Sequence, residues 1–171
     1  ALVHVAASHG YDFSMMRGVI AVNDEQRERM VRKVQHAAGT NDLNGMTISV
    51  LGLTFKAGTD DLRDSPSLAV INRLRELGAT VKAYDPTTTG TLSQIQQSFL
   101  SGISVQESID EAMSEGDVLV ILTEWPEFMS LDLERAKVLL SGSAIVDTRN
   151  LLNPQTVRAA GLTYDGVGRL A

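Results

Sequence analysis

Apolar and polar positions alternate along the chain in blocks that predict strands and helices in turn. One amphipathic stretch, residues 66–77, has Ser65 as its expected N-cap, Pro66 at its first position and Gly78 just beyond its end. Short apolar runs typical of buried parallel strands occur at residues 47–53, 80–84, 117–122 and 143–146. This order predicts an α/β fold, a Rossmann-like open parallel sheet with helices on both faces.

The amino-terminal part of the chain has a different pattern, dominated by one long helix. Residues 14–38 carry a stripe at helical spacing that includes the polar Asn23, and the helix is expected to end at Gly39. An amphipathic helix must bury its stripe, so it packs either on a second copy of the chain or on the sheet that follows. The pattern therefore divides the chain into residues 1–39, which are helical, and residues 40–171, which form the sheet domain.

The connection after the first predicted strand is long and carries candidate binding residues. Residues 54–64 separate strand from helix, whereas about two to six residues usually suffice. Extra length at the carboxyl end of a parallel strand is where α/β sheets bind ligands. The loop offers an aromatic ring, Phe55, and two cations, Lys56 and Arg63, which suit a phosphorylated, hydroxyl-rich ligand. The alternative is a solvated loop whose cations pair with its own aspartates.

The strand at residues 143–146 delivers a third cation, Arg149, to the same side of the predicted sheet. Carboxyl ends of parallel strands meet at one edge, so Arg149 is expected on the same edge as Lys56 and Arg63. Glu124 follows the preceding strand, and either it acts as a catalytic acid or it caps or pairs locally, as acids at strand ends commonly do. We therefore assign no catalytic residue and place the binding residues at this edge.

Asp85 ends the strand at residues 80–84, where dinucleotide-binding folds often place an acid that binds a ribose. The phosphate-binding half of that fingerprint is missing, because the first turn offers only Gly52 and Gly58 in place of the glycine-rich motif. We therefore expect Asp85 to form a turn rather than to bind a cofactor.

Composition restricts the possible partners. The chain has 171 residues, a formal net charge of -6 and a pI near 5.0, which disfavours nucleic acid. No apolar run approaches the roughly 18 residues of a membrane-spanning helix, so we expect no membrane partner and a cytoplasmic location. Cysteine is absent, which excludes disulfides and thiol nucleophiles within these residues, and the three histidines lack metal-binding spacing.

Four separated motifs resemble one enzyme family. They are GLTFKAGTDDLRDSPS after the first strand, TEWPEF, VDTRNL, and YDGVGR near the carboxyl terminus. In this order they resemble the carboxyl-terminal part of the UDP-glucose/GDP-mannose dehydrogenase family, which includes the UDP-glucose 6-dehydrogenases. The similarity extends over nearly the whole chain, and it specifies the family better than it specifies the sugar.

The resemblance implies roles for the residues of the predicted binding edge. Phe55 and Lys56 match the pair that contacts the UDP-sugar substrate in the family. Arg149 matches the arginine that binds the sugar ring or carboxylate, and Arg63 matches the one that reaches the pyrophosphate of NAD. The residues that flank Arg149 differ from those of some relatives, which leaves the identity of the sugar open.

The resemblance also implies an activity and an assembly. Family members oxidise an alcohol twice with NAD, through a thioester on a cysteine that lies just before the region matching Ala1. The chain is therefore expected to be the carboxyl-terminal part of an enzyme that converts UDP-glucose to UDP-glucuronate, inactive alone. Residues 1–39 would end a central dimerisation domain, with a homodimer formed through the helix at residues 14–38, and residues 40–171 would bind the UDP-sugar. The alternatives are a sister enzyme for GDP-mannose or a UDP-N-acetylhexosamine, and a non-catalytic α/β binding module.

Overall fold

The computed structural model describes residues 2–169, and its core is one parallel sheet. The six strands follow the order β3-β2-β1-β4-β5-β6, the order of dinucleotide-binding folds, and the Rossmann-like prediction is confirmed. Strand β2 has the predicted bounds, whereas β4 and β5 each differ by one residue at both ends. The strands are β1 (Thr47–Leu51), β2 (Thr80–Tyr84), β3 (Ser104–Val105), β4 (Val118–Ile121), β5 (Ala144–Asp147) and β6 (Thr163–Gly166). Residues 1, 170 and 171, which the two predicted domains include, lie outside the described part.

Helices cover both faces of the sheet. Ile48 and Val50 point to a core shared with α2 and α3, while Leu51 points to a second core beneath α5, α6 and α7. Burial on both faces explains why the strands read as continuous apolar runs. The helices are α1 (Leu2–Ser8), α2 (Ser14–Ala38), α3 (Pro66–Glu76), α4 (Gln94–Phe99), α5 (Ile109–Met113), α6 (Leu133–Leu139) and α7 (Pro154–Ala159), with a 3-10 helix at Pro126–Ser130. None of the helices in residues 2–169 is both long and apolar enough to cross a membrane.

The long helix α2 has the predicted bounds, and its second half packs on the sheet domain. It ends at Gly39, whose φ of 71° is a left-handed conformation that glycine adopts without strain. Val31 and Val34 are buried in the core that α2 shares with the sheet. Lys33 adds an ion pair to Asp165 of β6, with 2.6 Å between Nζ and Oδ1. Packing within the chain, one of the two alternatives for this helix, is therefore confirmed for its second half.

The first half of α2 presents apolar side chains to solvent. Met15, Val19, Ile20 and Val22 expose between 47% and 73% of their surfaces. Apolar residues clustered in this way are typical of a surface that another protein part covers. The division of the chain at residue 39 stays a prediction.

Strand β1 ends at Leu51, two residues earlier than predicted. Gly52 takes a φ of 96°, and the two residues after it donate their backbone N–H groups to Asp85 rather than to a neighbouring strand. The connection to α3 is therefore longer than expected, and we call residues 52–65 the β1–α3 loop.

Ser65 was expected to cap α3 with its side chain, and this prediction is wrong although its position is correct. Ser65 occupies the N-cap position but makes no side-chain capping bond. Its Oγ donates instead to the Leu53 carbonyl oxygen, at 2.7 Å. Because both residues belong to the β1–α3 loop, Ser65 joins the two ends of the loop instead of closing the first turn of the helix.

Candidate functional site

A cavity of about 450 Å³ lies between α2 and the carboxyl edge of the sheet. Two predicted binding residues, Phe55 and Arg149, line it from the sheet side. Asn23, Gln26 and Arg27 line it from α2, and apolar side chains of α2, α3 and the end of β4 form its base. Ligands of open α/β sheets bind at this edge, next to the point where the strand order reverses. The cavity is therefore the candidate site.

Lys56 and Arg63 follow the same strand as Phe55, but neither lines the cavity. Lys56 is exposed, and its carbonyl oxygen accepts the Thr59 hydroxyl at 3.0 Å, whereas its side chain makes no ion pair or hydrogen bond within residues 2–169. Its ammonium group is therefore free of internal partners, next to Phe55 in sequence and outside the cavity. The structure thus brings two of the four predicted site residues into one cavity and leaves the other two on the surface of the β1–α3 loop.

Arg63 forms an ion pair within its own loop. Its Nε lies 2.9 Å from Oδ1 of Asp61, and its Nη2 lies 3.0 Å from Oδ2. These hydrogen bonds raise the pKa of Arg63 and lower the pKa of Asp61. The structure thus shows the internal pairing that the solvated-loop alternative expected, and the cofactor contact of Arg63 stays a prediction. Because 77% of the Arg63 side chain is exposed, water screens the pair, which holds the guanidinium weakly.

Arg149 is held beside the cavity by a backbone oxygen and an acid. Its Nε donates to the Leu122 carbonyl oxygen at 2.7 Å and lies 3.4 Å from Oε2 of Glu124. Both contacts use the inner nitrogen. The two terminal amino groups carry four of the five N–H donors of the guanidinium and make no hydrogen bond within residues 2–169. Of the two interpretations of Glu124, a catalytic acid or an acid that pairs locally, the structure shows the local pair.

Asp85 is fully buried and accepts six hydrogen bonds from three loops. Oδ2 accepts from the N–H groups of Leu53 and Thr54, the Thr54 hydroxyl and the Trp125 indole, at 2.8 to 3.1 Å. Oδ1 accepts from the N–H and hydroxyl of Thr87. The expected turn at Asp85 is confirmed, but the links to the β1–α3 loop and to Trp125 were not predicted. With both oxygens occupied, Asp85 is not available to a ribose hydroxyl.

Gly52 lets the loops that follow β1 and β4 touch each other. A Cβ atom at Gly52 would lie 2.4 Å from Cβ of Thr123, so no larger residue fits there. The Thr123 hydroxyl donates to the Thr54 carbonyl oxygen at 3.0 Å. The crevice between these two strands, which holds the pyrophosphate in dinucleotide-binding folds, is therefore filled by the protein itself.

A second buried carboxylate, Asp147, holds the loop that carries Arg149. It accepts hydrogen bonds from the N–H groups of Arg149 and Leu152 and from the Tyr164 hydroxyl, at 2.9 to 3.1 Å. Burial, with a smaller contribution from the charge of Asp147, raises the pKa of Tyr164 to about 12. The phenol therefore stays protonated and remains a donor across the physiological pH range.

The polar residues of α2 in the cavity were not predicted as site residues. Asn23 is a polar residue within an otherwise apolar stripe, which is the one signal in the sequence that could have indicated it. Arg27 binds Asp24 one turn earlier, at 2.6 Å between Nη1 and Oδ1. Both reach the cavity because the second half of α2 packs against α3 and the sheet.

The cavity and its margins offer cations, amides and an aromatic ring, which are the groups that bind phosphate and a base or sugar ring, and one acid, Asp64, lines it with them. Across residues 2–169 no group of three or more histidine, cysteine, aspartate or glutamate side chains could hold a metal ion. The arrangement is therefore suited to binding a phosphorylated ring compound through side chains of the protein.

Comparisons with known proteins agree with the geometry. Residues 49–154 match the family model for the UDP-glucose/GDP-mannose dehydrogenase family, UDP binding domain. A UDP-glucose 6-dehydrogenase of Rhizobium meliloti is 40% identical over 169 residues, which are 99% of this chain and 38% of that protein. This chain therefore spans less than two fifths of the length of that relative.

Solved structures of similar proteins share the fold. A UDP-glucose dehydrogenase from Pyrobaculum islandicum matches 99% of this chain and 36% of its own, with a TM-score of 0.77 and 27% identity. A UDP-D-ManNAc dehydrogenase from Pyrococcus horikoshii matches 96% of this chain and 36% of its own, with a TM-score of 0.71 and 26% identity. The similarity thus extends to dehydrogenases of more than one nucleotide sugar.

Tyr164→Phe tests the hydrogen bond between the phenol and Asp147. The folded pKa of about 12 lies above the ordinary value of 10.0, so the folded state favours the protonated phenol. The stabilisation by Tyr164 is therefore fully present below about pH 10 and is lost as the pH rises through about 12. Urea unfolding of both proteins should show a difference in free energy of unfolding that is constant near neutral pH and shrinks above about pH 10.

Tyr11→Phe is the matched control, because 63% of the surface of Tyr11 is exposed. The free energy of unfolding of Tyr11→Phe should differ from that of the unchanged protein by the same amount at neutral and at alkaline pH. A difference for Tyr164→Phe that stays constant to about pH 12 would contradict the assigned hydrogen bond.

Proposed function

The chain belongs to the UDP-glucose/GDP-mannose dehydrogenase family, and we propose that it supplies the nucleotide-sugar site of an NAD-dependent UDP-glucose 6-dehydrogenase. That enzyme would oxidise UDP-glucose twice to UDP-glucuronate. The observation that supports this proposal most is the shared cavity of Phe55 and Arg149 at the ligand edge of the sheet. These residues lie on loops after two different strands, and the family resemblance connects both with the same ligand.

The geometry suggests how each residue would bind the nucleotide sugar. Phe55 exposes 49% of its surface and would offer its ring to the base or sugar. Arg149 would direct its terminal amino groups to a hydroxyl, phosphate or carboxylate oxygen, where paired N–H donors bind well. Lys56 would approach the phosphates from outside the cavity, as a mobile point charge.

Arg63 would contact the pyrophosphate of NAD. It lies on the outer surface of the β1–α3 loop, and its exposed pair with Asp61 is weak enough for a phosphate to displace. The crevice of this sheet is closed by Gly52 and Thr123, and Asp85 is buried. We therefore expect most contacts to NAD to come from another part of the full-length enzyme.

The covalent step would also require groups from outside these residues. The 171 residues contain no cysteine, so a thioester intermediate of the kind expected for this family needs a thiol supplied elsewhere in the full-length enzyme. The chain alone would bind the nucleotide sugar without reducing NAD. A cytoplasmic location stays a prediction from composition.

We further propose that the enzyme is a homodimer through α2. The support is the exposed apolar cluster in the first half of this helix, which includes Met15 and Val22. A two-fold mate would cover this cluster and leave the second half of α2 on its own sheet. Sedimentation equilibrium of the full-length enzyme should give a dimer, whereas a monomer at micromolar concentration would contradict the proposal.

A sister activity is the second candidate, because the chain is also similar to the UDP-D-ManNAc dehydrogenase of Pyrococcus horikoshii. A panel of nucleotide sugars offered to the full-length enzyme with NAD separates the two. The primary proposal expects the highest kcat/KM for UDP-glucose. A higher value for GDP-mannose or a UDP-N-acetylhexosamine would support the sister activity.

Lys56→Ala and Arg149→Ala in the full-length enzyme test whether both residues hold one ligand. Each change should weaken UDP-glucose binding, measured by calorimetry, by roughly 1.5 to 3 kcal/mol, the value of a hydrogen bond to a charged group. The double variant should lose less than the sum of the two, because residues that share a ligand are not additive.

Arg63→Ala provides the contrast. It should raise the KM for NAD by roughly tenfold or more and leave UDP-glucose binding unchanged, since a phosphate contact is worth more than 1 kcal/mol. If Lys56→Ala and Arg149→Ala instead lower thermal stability and leave UDP-glucose affinity unchanged, these cations serve the fold and the assigned site is wrong.

A further inference from the structure

Glu124, the third residue after β4, contacts both loops that carry the proposed sugar-binding residues. Its Oε1 accepts from the backbone N–H of Ala57 at 3.4 Å, next to Lys56. Its Oε2 lies 3.4 Å from Nε of Arg149. One carboxylate therefore bridges the β1–α3 loop and the loop that follows β5.

The next residue, Trp125, fixes the same loop at a second point. Its indole Nε1 donates to Oδ2 of Asp85 at 3.1 Å, and the same oxygen accepts the N–H groups of Leu53 and Thr54. These two residues directly precede Phe55. The residues before and after the Phe55 and Lys56 pair are thus both tied to the segment that follows β4.

The local sequence explains why this segment reaches both loops. Pro126 follows Trp125 and restricts it to an extended conformation, with φ of -65° and ψ of 134°. The 3-10 helix that Pro126 begins places Phe128 in the core, which anchors the segment from its other side. Glu124 and Trp125 are consequently held at a fixed position above the end of β4.

We propose that Glu124 and Trp125 are positioning residues, which set the separation between the Phe55 and Lys56 pair and Arg149. Neither residue lines the cavity, so they act through the residues that do. Both oxygens of Glu124 already face donors, which makes it a bridge rather than an acid placed to give a proton. This inference rests on the proposed function for its ligand, but the bridge itself is a property of the chain.

The bridge can be tested without any ligand. In Glu124→Ala, the backbone amide resonance of Ala57 and the Nε–H resonance of Arg149 should both shift in ¹H–¹⁵N spectra, because the Glu124 carboxylate faces both groups. Glu134→Ala is the matched control, since Glu134 is exposed on α6 and lies on neither loop. It should leave both resonances unchanged. A shift of only one of these two resonances in Glu124→Ala would overturn the bridge.

Steady-state kinetics of the full-length enzyme test the consequence for the site. Glu124→Ala and Trp125→Phe should each raise the KM for the nucleotide sugar about fivefold, the effect of losing a hydrogen bond. The KM for NAD and kcat should stay within about twofold, because the chemistry is not touched. Glu124→Gln keeps an oxygen acceptor of the same length, so it should restore part of the lost affinity.

Two results would overturn the positioning role. One is a fall in kcat of about a hundredfold or more in both Glu124 variants with an unchanged KM, which indicates a catalytic acid. The other is kinetics of Glu124→Ala that equal those of Glu134→Ala. A wild-type enzyme that oxidises no nucleotide sugar would instead contradict the proposed function, and the resonances of the Ala57 amide and the Arg149 Nε–H would still decide whether the bridge exists.

Discussion

The buried carboxylate of Asp85 is the group on which the binding edge depends. It joins the β1–α3 loop, the turn at Thr87 and Trp125 after β4 through six hydrogen bonds. A buried N–H group without an acceptor costs about 1 to 3 kcal/mol, so the donors around Asp85 constrain one another strongly. A loop longer than its connection requires is therefore fixed at its start, where Phe55 and Lys56 stand. The same bonds remove Asp85 from the ribose-binding role that its place in the fold would allow.

A second buried carboxylate, Asp147, likewise fixes a loop of the binding edge, the one that follows β5. Asp147 ends β5 and accepts the N–H groups that shape the loop of Arg149. Both acids are fully buried and both bind mainly backbone and neutral donors, while the cations Lys56 and Arg149 keep free donors near the surface. A chain with a net charge of -6 thus keeps two cations at this edge whose donors are not used up by Asp85 and Asp147.

Much of this architecture follows from the sequence, because its signals are local and strong. The bounds of α2 came from helical spacing and a terminal glycine, and the sheet edge followed from the rule that parallel strands end together. The pairing of Arg63 stayed open, since a loop of mixed charges allows both internal pairs and ligand contacts. Asn23 and Arg27 were not assigned to the site, and the links made by Asp85 were not foreseen. Those contacts depend on how distant segments pack, and periodicity carries no information about that.

The most direct test of the account is a titration of this chain with UDP, followed by ¹H–¹⁵N spectra. Saturable shifts are expected at the amides of Phe55, Lys56 and Arg149, at the carboxyl edge of the sheet. The amides of Gly78 and Gly142, which precede β2 and β5 at the opposite edge, should not move. Shifts confined to the opposite edge, or none at the carboxyl edge with UDP in large excess, would contradict the claim that this edge binds the nucleotide sugar.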